Sequence, residues 1–197
     1  MPRTVRTKVY QYSELSDQAK QKALDWYRPH ACVDDWYEFT MEGLKERAKE
    51  KGFEIDKIYF SGFSSQGDGA MFEGQVTDFT LFMEGINPHV QKVIKNNGLS
   101  LSWSVKHRGH YYHSGCSEIN FDAWEYPGYY DSKKGWQGNF QTNIDILESN
   151  LEDAYEEYCN EIYSTLEKEY EWRTSDEQIA EDIIANEYEF TKDGNRF

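Results

Sequence analysis

A long apolar repeat in the C-terminal part of the chain constrains the fold more than any other sequence feature. Apolar residues recur three or four positions apart at Ile144, Leu147, Leu151, Ala154, Tyr158, Ile162 and then Thr165 or Leu166. This spacing is typical of an amphipathic helix, and it predicts one from Thr142 to about Trp172. Thirty helical residues span about 45 Å, and an apolar stripe of that length must pack against another layer of structure.

Shorter patterns predict the remaining elements, in which strands alternate in polarity and helices have apolar residues on one side. The predicted helices are Asp17 to Arg28, about Asp34 to Lys51, Asn87 to Ile94 and a short last helix from Ser175. The predicted strands are Thr4 to Tyr12, Phe53 to Phe60, Ala70 to about Met83, Leu99 to Val105 and His110 to Phe121. Trp124 to Asn139 is predicted to be a loop anchored by aromatic rings.

The order of these elements predicts a single α+β domain over residues 1–197. We expect an antiparallel sheet of four or five strands, two N-terminal helices, a long acidic amphipathic helix and a short final helix. Residues 1–141 would form a near-neutral α+β core, and residues 142–197 would form an acidic helical segment packed on it.

The negative charge of the chain is concentrated near its C-terminal end. The net charge is −15. Residues 1–110 carry 15 Lys/Arg and 15 Asp/Glu, whereas residues 111–197 carry 6 Lys/Arg against 21 Asp/Glu, which is the whole excess. A surface of this kind repels nucleic acid and anionic lipid. We therefore expect a basic protein as partner, and no direct binding of nucleic acid.

Composition also argues against membrane insertion and against a disulfide framework. No run reaches the roughly 18 apolar residues that a membrane span needs, and no signal-peptide pattern follows Met1, so we expect a soluble, cytoplasmic protein. The three cysteines, Cys32, Cys116 and Cys159, are odd in number and far apart, which favours reduced thiols. We predict no cofactor and no metal.

Three segments of the sequence resemble a known group of phage and prophage proteins. They run from Tyr10 to Arg28 (YQYSELSDQAK and the residues after it), from Tyr59 to Gly74 (YFSGFSSQGDGAMFEG) and from Ala185 to Gly194 (ANEYEFTKDG). Proteins of that group are often called antitoxins of a toxin–antitoxin stability system. The resemblance implies a phage gene product that acts in the cytoplasm of a bacterial host, and it transfers no catalytic residue to this chain.

The acidic side of the predicted long helix is the main candidate site. Its carboxylates fall into rows spaced four apart, so like charges stand above one another. The predicted partner-binding residues are Asp145, Glu148, Glu152, Asp153, Glu156, Glu157 and Glu161. One interpretation is a polyanionic face that covers a basic groove of a host protein, with the next helix or a second copy in a homodimer adding charge. The other is a solvated face that only keeps the protein in solution.

A second candidate site lies among the turn and loop residues of the predicted sheet. The segment from Ser61 to Gly69 contains three glycines and three serines, whose amides could converge on an anion, although a plain hairpin connection is the preferred interpretation. Histidines at His107, His110 and His113 precede Cys116 at intervals of three. This spacing suits zinc in a loop but not on an extended strand. An alternative catalytic set for acid–base chemistry is Asp68, Glu73, His110 and His113.

Three functions remain open at this stage. The first is a phage-encoded acidic protein, not an enzyme, that inhibits a nucleic-acid-directed host defence system such as a restriction or CRISPR-type nuclease. The second is a small hydrolase or nucleotide-binding protein with a His/Asp/Glu site. The third is an antitoxin that neutralises a basic toxin.

Overall fold

The computed structural model describes residues 2–3, 6–84, 86–97, 99–125 and 140–197. Within these residues the chain forms a mixed helix and sheet structure, which confirms the predicted α+β class. The helices are α1 (Asp17–Tyr27), α2 (Glu38–Glu50), α3 (Phe79–Glu84), α4 (Pro88–Asn97), α5 (Phe140–Arg173) and α6 (Asp176–Ala185). The strands are β1 (Tyr10–Gln11), β2 (Phe53–Phe60), β3 (Ala70–Val76), β4 (Leu99–His107), β5 (Ser117–Glu125) and β6 (Glu189–Phe190).

Strands β2 to β5 form a four-stranded antiparallel sheet in which neighbours in sequence are neighbours in space. This meander places the turn between β2 and β3 at the same end of the sheet as the loop between β4 and β5. The register of β2 on β3 shifts between Ile55 and Lys57, which is the irregularity of a β-bulge. The predicted sheet of four or five strands is therefore confirmed at four.

The chain divides into two compact units. Unit 1 contains residues 1–38 and 166–197, and unit 2 contains residues 39–165. The single domain predicted over 1–197, divided near residue 141, remains a prediction.

Unit 1 is built around a small apolar core that joins the two ends of the sequence. α1 and α6 contribute the buried residues Ala19, Ala23, Leu24, Ile179 and Ile183, together with Leu15 and Phe190. Side chains of Ser16 and Ser175 accept backbone N–H groups at the starts of α1 and α6, which satisfies donors that a helix leaves unpaired. β1 pairs with β6 in an antiparallel ladder of two residues each.

Three predicted strands differ from the structure. Residues 6–9 of the first predicted strand are not in a strand, and of its described residues only Tyr10–Gln11 pair. The strand predicted to reach Met83 ends at Val76, and α3 follows, because the Asp78 carboxylate accepts the N–H groups of Thr80 and Leu81 and so caps a helix. The strand predicted from His110 begins instead at Ser117.

The long helix is confirmed, since α5 runs from Phe140 to Arg173. The last short helix is also confirmed as α6. The predicted aromatic loop was wrong at its start, because Trp124 and Glu125 pair with β4 as the end of β5. The rest of that loop, residues 126–139, lies outside the described residues.

Candidate functional site

The apolar stripe of α5 fixes which side of this helix faces the core of unit 2. Leu147, Leu151 and Ile162 are fully buried. The ring of Tyr155 lies edge-on to Phe72 of β3, with 4.9 Å between ring centroids. The Tyr158 hydroxyl donates a 3.0 Å hydrogen bond to the backbone carbonyl of Leu44 in α2. These contacts leave the opposite side of α5 to solvent.

That opposite side carries six exposed carboxylates, which we call the acidic face: Asp145, Glu148, Glu152, Asp153, Glu156 and Glu157. Five of them, all except Asp145, take part in no salt bridge within the described residues. The acidic face extends over about 18 Å of helix axis. Within the described residues, the charge of these five carboxylates is therefore not neutralised by a lysine or an arginine.

Glu161 differs from the other predicted partner-binding residues. Its carboxylate lies 3.5 Å from the guanidinium of Arg47 and 3.7 Å from the ammonium of Lys51. The Glu161 side chain is 34% exposed, so it is partly withdrawn from solvent. Glu161 thus joins α5 to the C-terminal end of α2, and we do not count it in the acidic face.

The glycine- and serine-rich turn between β2 and β3 contacts the histidine-bearing loop between β4 and β5. A Cβ atom at Gly69 would stand 2.8 Å from the Cβ of His113 and 3.1 Å from the carbonyl oxygen of Tyr112. Only glycine allows this approach. No local sequence pattern places these two segments together, because their proximity depends on the order of the strands in the sheet.

The turn between β2 and β3 binds an anionic group of the chain itself, the carboxylate of Asp68. The Asp68 carboxylate accepts the backbone N–H groups of Ser64 and Ser65 at 2.9 and 2.6 Å. These hydrogen bonds stabilise the charged form and lower the pKa of Asp68. Amides of this segment, which the sequence made candidates for binding an anion, therefore bind a carboxylate of the turn itself.

Glu73 lies in a separate group on β2, β3 and β4. Its carboxylate accepts hydrogen bonds from the Tyr59 hydroxyl at 3.1 Å and from the backbone N–H of His107 at 3.0 Å. The ring of Tyr59 stacks on those of His107 and Tyr112, with centroids 5.2 and 5.4 Å apart. The sequence alone did not place Tyr59 in this group. The cross-strand partner of Tyr59 in β3 is Met71, two residues before Glu73, so the side chains of Tyr59 and Glu73 lie on the same face of the sheet.

His113 pairs with Cys116 rather than with a carboxylate. The Nε2 atom of His113 lies 3.5 Å from the Sγ atom of Cys116. His110 is exposed. Among the described residues, no hydrogen bond or ion pair joins any two members of the alternative catalytic set Asp68, Glu73, His110 and His113.

No group of three or more His, Cys, Asp or Glu side chains is placed to hold a metal ion in the part of the chain that the structure covers. None of its described helices combines the length and the apolar character needed to cross a membrane.

Fold and surface together define an α+β protein with one long helix whose solvent side is acidic. The chain belongs to the family described as a domain of unknown function, DUF8835, whose model matches residues 36–176. The matched range includes the whole four-stranded sheet and the acidic face. No curated protein and no solved structure gives a significant match to the chain.

Proposed function

We propose that this chain is a phage-encoded binding protein that inhibits a nucleic-acid-directed host defence system by covering a basic surface with its acidic face. The observation that carries the proposal is the set of exposed carboxylates on α5 that form no salt bridge in the described structure. Like charges at i,i+4 destabilise a helix. A basic partner surface would offset that cost, whereas solvent does not.

The charge spacing of the acidic face favours a partner protein whose basic surface normally binds nucleic acid. Six carboxylates over about 18 Å correspond to one negative charge per about 3 Å of helix axis. A DNA duplex carries one phosphate per about 1.7 Å of axis when both strands are counted, and each strand one per about 3.4 Å. The acidic face therefore matches the charge density of one strand and is about half as dense as the duplex. The nucleic-acid channels of restriction and CRISPR-type nucleases are basic, and complementary charge steers such partners together.

The resemblance to phage and prophage proteins supports a bacterial host as the place of action. It is equally compatible with an antitoxin that neutralises a basic toxin, because both functions use the same acidic face. The identity of the captured protein separates the two.

The test is reversal of charge on the acidic face. A variant with Glu148→Lys, Glu152→Lys, Glu156→Lys and Glu157→Lys should lose capture of basic proteins from host lysate. The replacement keeps the first three positions alike in charge, so the repulsion along that row is unchanged and the helix should still fold. Quantitative mass spectrometry of the captured proteins is the measurement.

The matched control reverses four exposed acids elsewhere in unit 2: Glu42→Lys, Glu46→Lys, Asp56→Lys and Asp122→Lys. Both variants change the net charge equally. The proposal requires that the control still captures the same proteins and that salt releases them. Capture that survives reversal of the acidic face, or that persists at high salt, would refute it.

A further inference from the structure

A groove beside the acidic face has a different chemical character from the face itself. It lies within unit 2 and has a volume of about 420 Å³. Its apolar lining comes from β2, from α3 and the residues just after it, and from α5: Phe53, Leu81, Phe82, Ile86, Ala154 and Tyr158. A volume in the range of about 300–1,000 Å³ is typical of binding pockets.

The apolar lining is only partly covered by the described residues. Phe53 and Phe82 form a buried floor, whereas Leu81 and Ile86 at the edge are 38% and 41% exposed. Adjacent exposed apolar side chains that line a concave surface mark interaction sites more often than isolated ones do. The groove therefore offers room for an apolar side chain from another molecule.

The rim of the groove is acidic. Four carboxylates, Glu50, Glu84, Glu157 and Glu161, line it with a single ammonium group, that of Lys51. The Nζ atom of Lys51 lies 3.7 Å from Glu161 and 5.1 Å from the ring centroid of Tyr158. Glu161 is therefore already paired. The other three carboxylates of the rim form no salt bridge within the described residues, so they can pair with cations of a partner.

We infer that this groove binds a basic amphipathic segment of the partner protein, inserting one of its apolar side chains between α3 and α5 while its lysines or arginines meet the acidic rim. Such a segment complements the groove in both respects. Its apolar side chains fit the apolar floor, and its cations are attracted to the carboxylates of the rim. The inference rests on the proposed function, because it specifies which part of a basic partner enters the groove. Glu157 belongs to both the groove and the acidic face, so one partner can occupy the two surfaces together.

The probe is a fluorescently labelled 18-residue helical peptide of leucine and lysine, about one leucine to one lysine, compared with a peptide in which alanine replaces every leucine. The two peptides have the same charge and differ only in their apolar anchors. Fluorescence anisotropy titrations against the full chain should show at least tenfold tighter binding of the leucine peptide, which corresponds to about 1.4 kcal/mol.

Ala154→Phe fills the groove without changing charge and should abolish the preference for leucine. Ser102→Phe, at an exposed position of β4 that does not line the groove, is the matched control and should keep the preference. A second variant, Leu81→Ser with Ile86→Ser, removes the exposed apolar edge and should also abolish the preference. It serves in place of Ala154→Phe if that variant fails to fold.

Two results overturn the inference. Equal affinity of the wild-type chain for both peptides, or an unchanged preference in both groove variants, would show that the groove takes no apolar anchor. If the two peptides bind equally and the reversal of Glu148 and Glu152 to lysine abolishes binding, only the groove inference fails. If neither peptide binds at low salt, the proposed function fails with it.

Discussion

Replacing Glu152 by lysine should stabilise the protein while weakening its binding to a basic partner. Glu152 stands four residues from Glu148 and four from Glu156, and all three side chains are exposed and form no salt bridge in the described structure. Each pair of like charges at this spacing destabilises a helix by about 0.2–0.5 kcal/mol, and each opposite pair stabilises it by a similar amount. Two repulsive pairs therefore become two attractive ones.

The expected gain follows from that change of sign. Reversing each pair contributes about 0.4–1 kcal/mol, so Glu152→Lys should raise the free energy of unfolding by about 0.8–2 kcal/mol. Glu152→Gln removes the repulsion without adding attraction and should give about half of this gain. For a chain of this size, 1 kcal/mol corresponds to about 2–4 °C in melting temperature.

Urea unfolding followed by far-UV circular dichroism measures these differences at low ionic strength. The gain should shrink in about 1 M salt, where the screening length falls to about 3 Å. A loss of stability in Glu152→Lys, or a gain in the glutamine variant as large as in the lysine variant, would refute the electrostatic reasoning. A stability gain accompanied by retained binding would instead refute the functional role of Glu152.

The remaining predictions concern packing and pH. Gly74→Ala should destabilise the protein by about 1–3 kcal/mol in urea unfolding, because the added methyl group overlaps the carbonyl oxygen of Glu54 on β2. Gly43→Ala in α2 should stabilise it by about 0.5–1 kcal/mol in the same assay, because nothing lies within 4 Å of the added methyl group and alanine favours the helix. Burial raises the pKa of both Cys159 and Tyr158 to about 12. Since the unfolded chain then releases protons from pH 9 upward while the native protein holds them, stability should fall between about pH 9 and 12, as measured by unfolding at stepped pH.

The long helix could be predicted because its stabilising contacts repeat along the sequence. Ile144, Leu151 and Leu166 recur at helical spacing and are all buried in the structure. The exposed side of α5 followed from the same periodicity, so most of the acidic face was predictable. The salt bridge between Glu161 and Arg47 could not be predicted, because Arg47 lies in a helix more than a hundred residues earlier in the chain.

Predictions from local composition were wrong where a helix cap or a pairing strand distant in sequence determines the structure. Thr77 to Met83 is rich in β-branched and aromatic residues, yet the Asp78 side chain caps a helix there. Thr4 to Tyr12 also has the composition of a strand. Its partner β6 is only two residues long, so among the described residues of this segment only Tyr10 and Gln11 pair. The contact of Gly69 with His113 likewise depends on the order of strands in the sheet, which no local pattern encodes.

The core of unit 1 has a consequence for how the protein is made. Leu15 and Ala19 pack with Ile179 and Phe190, which the ribosome adds about 160 residues later. At about 5–20 residues per second this delay amounts to roughly 8–30 s. During that time α1 has no partner, whereas the residues of unit 2 are already emerging. The nascent chain should therefore complete the sheet first, and α1 remains open to chaperones and proteases until Ile179 and Phe190 have been synthesised.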